Sequence, residues 1–188
     1  MRIIAGTLRS RTLEAPAGLA TRPTSDRLRE TLFNVLAPRI EGAHFLDLYA
    51  GSGAVGIEAL SRGAAQVVFV ERAPAALKVL RSNLARLGLT EGFHVQPGSV
   101  AAYLRKARAG QAAGFDLVFL DPPYDASDEY AATLGLLGGA ASGLLAPGAL
   151  VIAEHRRKER LEERYGALAR TRLLQQGDAS LSFYRAAE

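Results

Sequence analysis

Phe45-Leu46-Asp47-Leu48-Tyr49-Ala50-Gly51-Ser52-Gly53-Ala54-Val55-Gly56 decides how this 188-residue chain is read. An apolar run at Phe45, Leu46 and Leu48 stops at Gly51-Ser52-Gly53, and Ala54 to Leu60 then has helical character. The order is strand, Gly-rich turn, helix. Glycines in such a turn adopt the backbone angles it needs and carry no Cβ to keep a ligand off, while the helix start presents unpaired N–H groups. A cofactor fits against it. Gly51-Ser52-Gly53-Ala54-Val55-Gly56 matches the dinucleotide pattern G-x-G-x-x-G, and Glu71 lies twenty positions past Gly51, where that pattern expects an acid for ribose hydroxyls.

Asp47 argues against a nicotinamide cofactor. A pyrophosphate brings negative charge to the helix start, where a carboxylate at the end of the preceding strand repels it. S-adenosylmethionine has no phosphate and carries a sulfonium and an amino group, so an acid suits it. Asp-x-x-x-Gly-x-Gly followed by an acid after the next strand resembles the cofactor site of the class I, Rossmann-like methyltransferases. The resemblance implies that Asp47, Gly51, Ser52 and Gly53 lie against the cofactor and that Glu71 holds its ribose. An acid that merely caps the helix remains the alternative for Asp47.

Composition narrows the chemistry. At this length a single well-buried core is expected, and 48% hydrophobic with 22% charged residues is ordinary for a globular chain. No apolar run approaches the roughly 20 residues of a membrane span, and Met1 to Thr7 run straight into polar and basic residues, so no targeting segment and a cytoplasmic location are expected. Cysteine is absent, which excludes disulfides, thiolate metal sites and thiol nucleophiles. His44, His94 and His155 have no metal-ligand spacing, and no metal is expected. The first 40 residues hold seven arginines against three acids, a net of +4 that equals the formal charge of the whole chain. A basic segment ahead of a neutral body suits contact with phosphates.

Along the chain, residues 2–13 read as two short strands with a turn near Gly6 to Arg9. Thr24 or Ser25 then caps a helix from about Asp26 to Ala37, stopped by Pro38, with Leu28, Leu32, Val35 and Leu36 facing the core. Strands are expected near 44–49, 66–71, 93–96, 115–120 and 149–154, alternating with helices near 53–63, 73–88, 99–110 and 128–138. That alternation predicts a parallel sheet covered on both faces. Leu168–Gln176 and Ala179–Ala186 look like a hairpin turning at Gly177-Asp178. The mixed charges of Arg156 to Arg164 read as a solvated helical face rather than an RNA contact. The expected fold is α/β: a seven-stranded, mostly parallel sheet with helices on both faces, an antiparallel C-terminal hairpin and a small N-terminal hairpin and helix extension. Residues 1–40 form the basic extension in this division and residues 41–188 the catalytic domain.

Phe115 to Leu120 is a buried-strand run that delivers Asp121-Pro122-Pro123-Tyr124 to the edge where open α/β sheets bind ligands. Two prolines fix the backbone and remove two donors, leaving carbonyls to accept. An exocyclic amine on a base is a poor nucleophile, because its lone pair is delocalised into the ring. The Asp121 carboxylate and the Pro122 carbonyl, accepting its two hydrogens, draw the nitrogen toward tetrahedral geometry, and Tyr124 stacks on the base.

Both motifs together are similar to amino-methyltransferases acting on adenine N6, cytosine N4 or guanine N2. Arg22-Pro23-Thr24-x-Asp26-Arg27-x-Arg29-Glu30-Thr31-Leu32-Phe33-Asn34, the Arg2-Ile3-Ile4-Ala5-Gly6 start and Asp121-Pro122-Pro123-Tyr124 resemble the RsmD family across essentially the whole chain. The resemblance implies methylation of N2 of one guanine in 16S rRNA of the bacterial small (30S) subunit, by a monomer using S-adenosylmethionine. Arg9 and Arg11 at the turn of the basic N-terminal segment, with Arg22, Thr24 and Arg27 of the family signature, are the expected RNA contacts. At Gln96-Pro97-Gly98-Ser99 the chain departs from the many methyltransferases that carry Asp or Asn for the adenine amine, leaving Ser99 and backbone groups there. The alternatives are a DNA or tRNA amino-methyltransferase, or a non-catalytic RNA-binding protein on the same fold. Only about 40 residues lie outside the catalytic sheet, too few for a DNA target-recognition domain, which favours a structured RNA that already presents its base.

Overall fold

The computed structural model describes residues 1–15, 25–106, 114–123 and 127–186. Eight strands form one sheet in the order β3-β2-β1-β4-β5-β8-β7-β6. They are β1 His44–Leu48, β2 Gln66–Glu71, β3 Phe93–Pro97, β4 Phe115–Leu120, β5 Leu145–Arg156, β6 Arg164–Tyr165, β7 Leu168–Gln176 and β8 Ala179–Ala186. The first five are parallel, and β8, β7 and β6 follow as antiparallel neighbours. Among the described residues five helices cover the sheet: α1 Asp26–Leu36, α2 Ala54–Ser61, α3 Pro74–Arg86, α4 Val100–Lys106 and α5 Ser127–Leu137.

Strand alternation separates two apolar layers. Phe45, Val67, Phe69, Leu117, Phe119 and Ile152 pack with residues of α1, α2 and α3, while Leu46, Leu48, Val118, Leu120 and Val151 face α4 and α5. Ser25 caps α1, its Oγ accepting from Leu28 N at 3.1 Å. Leu28, Leu32, Phe33 and Leu36 then bury their side chains in the first layer, with Val35 only partly covered.

The N-terminal strands are reduced to one antiparallel bridge, Arg2 with Thr12. Ile4 N and Ala5 N donate instead to the Glu58 carboxylate of α2, at 2.8 and 3.0 Å, and Thr7 N donates to Ser61 O at 2.8 Å. Gly6 has φ +84°, and a Cβ there would stand 1.7 Å from Ser61 O. Ile3 N and Leu13 N still donate across to Arg11 O and Met1 O, both at 3.0 Å, while side-chain and helix-end acceptors on α2 hold the chain that follows Ile3. Arg29 seals the joint. Fully buried, it donates to Arg2 O and to Asp26 Oδ1, and its Nε lies 3.7 Å from Glu58 Oε2, so this arginine belongs to the interior and not to a basic surface.

The expected helix over 156–164 does not form. β5 runs on to Arg156, a turn closes with Glu159 N donating to Arg156 O, and Arg164–Tyr165 adds a two-residue eighth strand beside β7. The stretch has one buried apolar residue, Leu161, which is too little to hold a helix on the sheet. No helix among the described residues is long and apolar enough to cross a membrane.

Candidate active site

The strand order reverses between β1 and β4, since the chain passes outward from β1 to β3 and then returns to the other side of β1. Ligands of open α/β sheets bind at the carboxyl ends of the strands flanking such a reversal. A cavity of about 480 Å³ opens there, lined by Asp47, Tyr49, the 50–52 turn, Glu71, Arg72, Ser99, Asp121, Pro122 and Glu129, among others.

The Gly-rich turn is held by its own chemistry. Gly51 and Gly53 have φ values of 57° and 82°, and a Cβ on Gly53 would stand 2.3 Å from Leu80 Cδ1. Glu71 Oε2 accepts from Gly51 N at 2.8 Å, while Oε1 accepts from Arg72 N and Ala73 N at 2.8 and 2.7 Å. One carboxylate thereby ties the end of β2 to the turn after β1. Asn83 Nδ2 donates to Ser52 O at 3.0 Å, fixing the turn from the α3 side. Ser99 Oγ accepts from Ala102 N and so caps the start of α4 at the rim.

Asp47 does two things. Its Oδ2 accepts from Gly56 N at 2.9 Å, the capping bond left open by the sequence, and it also lines the cavity. Burial is the main reason its carboxyl is pushed up to about 7; the Gly56 bond opposes this and the nearby Glu71 charge adds to it. Asp121 follows the last residue of β4. Burial, and then the Glu154 and Asp47 carboxylates, push its carboxyl well above the usual carboxylate range. Pro122 is buried beside it.

Of the residues named from sequence, the structure brings Asp47, Gly51, Ser52, Glu71, Ser99, Asp121 and Pro122 to one cavity, with Gly53 closing the turn. Tyr124, Arg22 and Thr24 lie outside the described residues. Arg27 is exposed on α1. Arg9 and Arg11 are not at the cavity. Their turn docks on Ser61 at the far end of α2, and Arg11 Nη2 donates to the carbonyl of Arg86, the last residue of α3.

Three site residues were not anticipated. Tyr49 is a non-glycine residue at φ 63°, and its hydroxyl donates to Glu129 Oε2 at 2.7 Å and lies 2.6 Å from Thr133 Oγ1. Glu129, near the start of α5, thus links the β1 turn to the segment following Asp121. Glu154 is 2% exposed on β5, and the pairing of Leu120 with Ala153 places it beside Asp121. Its signal was present: like Asp47, Glu71 and Asp121, it is the acid that follows an apolar strand run.

Four carboxylates and one arginine line the cavity, a donor set that suits a cationic ligand and opposes a pyrophosphate. Among the described residues no cluster of side chains could hold a metal ion. With the switch-point site on this sheet, the molecule is an α/β methyltransferase of the S-adenosylmethionine-dependent class. The family model described as "Conserved hypothetical protein 95" matches residues 1–185, and the chain belongs to that family, the RsmD family of rRNA methyltransferase D proteins. The Bacillus subtilis (strain 168) protein YlbH, provisionally named an rRNA methyltransferase, is 39% identical over 185 residues, covering 98% of each chain. Ribosomal RNA small subunit methyltransferase D of Escherichia coli (strain K12) is 43% identical over 124 residues, 66% of this chain and 60% of that enzyme's length. The solved structure of Escherichia coli yhhF, provisionally named a methyltransferase, superposes with a TM-score of 0.83 at 35% identity, covering 99% of this chain and 97% of that one.

Proposed function

We propose that the chain transfers a methyl group from S-adenosylmethionine to the exocyclic N2 amine of a guanine in 16S rRNA, acting as a cytoplasmic monomer on the assembled or partly assembled 30S subunit. One observation carries this: Asp121-Pro122 stands at the switch point, on the wall of the cavity formed by the Gly-rich turn, Asp47 and Glu71. The names of the two relatives point to rRNA. When bound, the cofactor supplies an electrophilic methyl group on a positively charged sulfur.

The residues present fit that group. Asp47 and the other carboxylates complement its positive charges, Glu71 offers the one lone pair left on Oε2 to a ribose hydroxyl, and Gly51 to Gly53 let backbone come close. Ser99 and its neighbouring backbone are left to meet the adenine edge. On the acceptor side, the Asp121 carboxylate and the Pro122 carbonyl accept the two hydrogens of the guanine amine and raise its nucleophilicity, with Tyr124 stacked on the base. Bonding of the nitrogen to the methyl carbon, with the carbon–sulfur electron pair passing to sulfur, would leave the nitrogen positive, and ionised Asp121 would stabilise that charge until the extra proton leaves, to Asp121 or to water.

Tritium-labelled S-adenosylmethionine mixed separately with 30S subunits, deproteinised 16S rRNA, tRNA and duplex DNA tests the proposal. Label should enter small-subunit RNA and digest to N2-methylguanosine, with the subunit the better acceptor. Label in tRNA or DNA, at another base position, or in no acceptor at all overturns it.

A further inference from the structure

The interior of the site is acidic, so RNA phosphates must be held elsewhere on the molecule. Asp47, Glu71, Asp121, Glu129 and Glu154 crowd the ends of the strands, and a phosphate near them is repelled. The cofactor cavity occupies the β1 and β2 side of Asp121. Among the described residues, the side of Asp121 toward β5 and β8 is left for the base.

A basic rim stands there. β5 continues two residues past Glu154 and turns, exposing Arg157, Lys158 and Arg160 within about 10–20 Å of the Asp121 level at roughly 3.3 Å per residue. Among the described residues none of these three forms an ion pair within 4 Å. The turn is fixed at both ends. Arg157 N donates at 2.7 Å to the carbonyl of Asp178, at the tip of the β7–β8 hairpin, and Leu161 is buried. Because β8 pairs with β5 as Ala179 with Arg156, that tip lies at the same edge of the sheet. Thr31 Oγ1 of α1 lies 3.0 Å from Gln176 Oε1, just before the tip, and 3.1 Å from Arg27 O one turn earlier, its single proton serving one of the two acceptors. Arg27 therefore stands at this edge too. The far end of α1 points the other way, where Arg39 Nη1 donates to Gly148 O near the opposite end of β5.

We propose that Arg157, Lys158 and Arg160, together with Arg27, form a phosphate-binding platform for RNA on the acceptor side of Asp121. This rests on the proposed RNA acceptor. The occupant is an RNA backbone: the four cations are exposed, form no ion pair within 4 Å among the described residues although Glu30, Glu159 and Glu162 are close in sequence, and flank the side of Asp121 away from the cofactor cavity. Arg9 and Arg11 are less suitably placed. The eight-residue helix α2 sets their turn about 10 Å or more from the Gly-rich turn, on the side away from the strand ends.

The test combines Arg157→Ala, Lys158→Ala and Arg160→Ala in one variant and compares it with the wild type and with Arg9→Ala/Arg11→Ala. Methyl transfer to 30S subunits and to 16S rRNA is followed across a salt series. The triple variant should show a KM at least ~10-fold higher, kcat at saturating RNA and cofactor affinity within twofold of wild type, and a log–log salt slope shallower by about 2–3. An unchanged KM and slope overturns the platform, as does a slope carried wholly by Arg9 and Arg11. The two proposals fail separately. A wild type that methylates no small-subunit RNA removes the proposed function, and the same slope comparison on whichever nucleic acid it binds then decides the platform.

Discussion

Asp47→Asn should strengthen the fold and weaken the cofactor site together. Asp47 is 2% exposed, and its Oδ2 accepts from Gly56 N. An asparagine oxygen can keep that bond without a buried charge. The wild-type carboxyl is pushed to about 7 in the folded chain from an ordinary 3.8. Between those values the folded chain holds a proton that the unfolded chain has released, so this group's contribution to stability falls as pH rises from about 4 to about 7. From pH 5 to pH 8 the fall amounts to about 3 kcal/mol, at about 1.4 kcal/mol per pH unit over two units. Asp47→Asn lacks this loss. Its stability advantage over wild type in urea melts should therefore grow by about 3 kcal/mol between pH 5 and pH 8, offset at both by about 1 kcal/mol for a weaker, uncharged acceptor. An advantage equal at the two pH values refutes the assignment of a raised carboxyl at Asp47. Calorimetry supplies the second half. A cation bound beside Asp47 favours its ionised form, so at pH 6 wild type should release close to one proton on binding S-adenosylmethionine. Asp47→Asn should release none and bind more weakly.

Glu71→Ala removes the acceptor of three backbone N–H groups and the proposed acceptor of the ribose, and should weaken S-adenosylmethionine binding by about 1.5–3 kcal/mol; unchanged affinity by titration calorimetry takes Glu71 out of the site. Glu58→Gln leaves the fully buried Arg29 guanidinium without its interior counter-charge and should cost about 3–5 kcal/mol of stability. A loss below about 1 kcal/mol in urea melts would show that Asp26 alone suffices. Asp121→Ala should slow single-turnover methyl transfer by about 2.7–4 kcal/mol of barrier, and Asp121→Asn by less, with cofactor affinity kept in both. Because the Asp121 carboxyl is raised, the wild-type rate should fall on acidification well above pH 4; an Asp121→Ala enzyme at the wild-type rate would reduce the motif to a structural turn.

The parallel part of the sheet was legible because its strands are apolar runs bounded by strong signals. Gln66–Glu71 ends on an acid and Phe115–Leu120 is followed by one at the ligand edge, and Gly177-Asp178 marks the hairpin between β7 and β8. β5 starts four residues before the expected 149, because Ala146-Pro147-Gly148 reads as a break. Leu145 nevertheless pairs with Phe115 across a register shift. Charged residues were harder to place. Arg29 counts as a surface cation in any tally of net charge, yet it shares a helix face with Leu28, Leu32 and Phe33, and its partner Glu58 lies in α2. Nothing local announces that pairing. Arg9 and Arg11 were assigned to RNA by charge alone, and only the docking of their turn on Ser61 shows which end of the molecule they occupy. The mixed charges after β5 lacked helical apolar periodicity, and the hairpin partner that fixes them lies some 20 residues on.

Charge is segregated by depth, and that arrangement follows from the chemistry the site must perform. A cationic cofactor and an amine that becomes positive during transfer both favour carboxylates in the interior, where low dielectric strengthens each interaction. Burying several carboxylates together raises their pKa values, as at Asp47 and Asp121, and costs folding stability. The same negative field keeps an RNA backbone out of the cavity, so a polyanion can present a single base to Asp121 only if its phosphates are held on the rim. Arg27 on α1 and the turn after β5 supply positive charge at that radius, and the β7–β8 tip hydrogen-bonds to both elements. On the proposed function, an acid-lined floor and a basic rim would sort the two ligands by sign, the cofactor's positive charges inward, the phosphates at the edge and the neutral base between them.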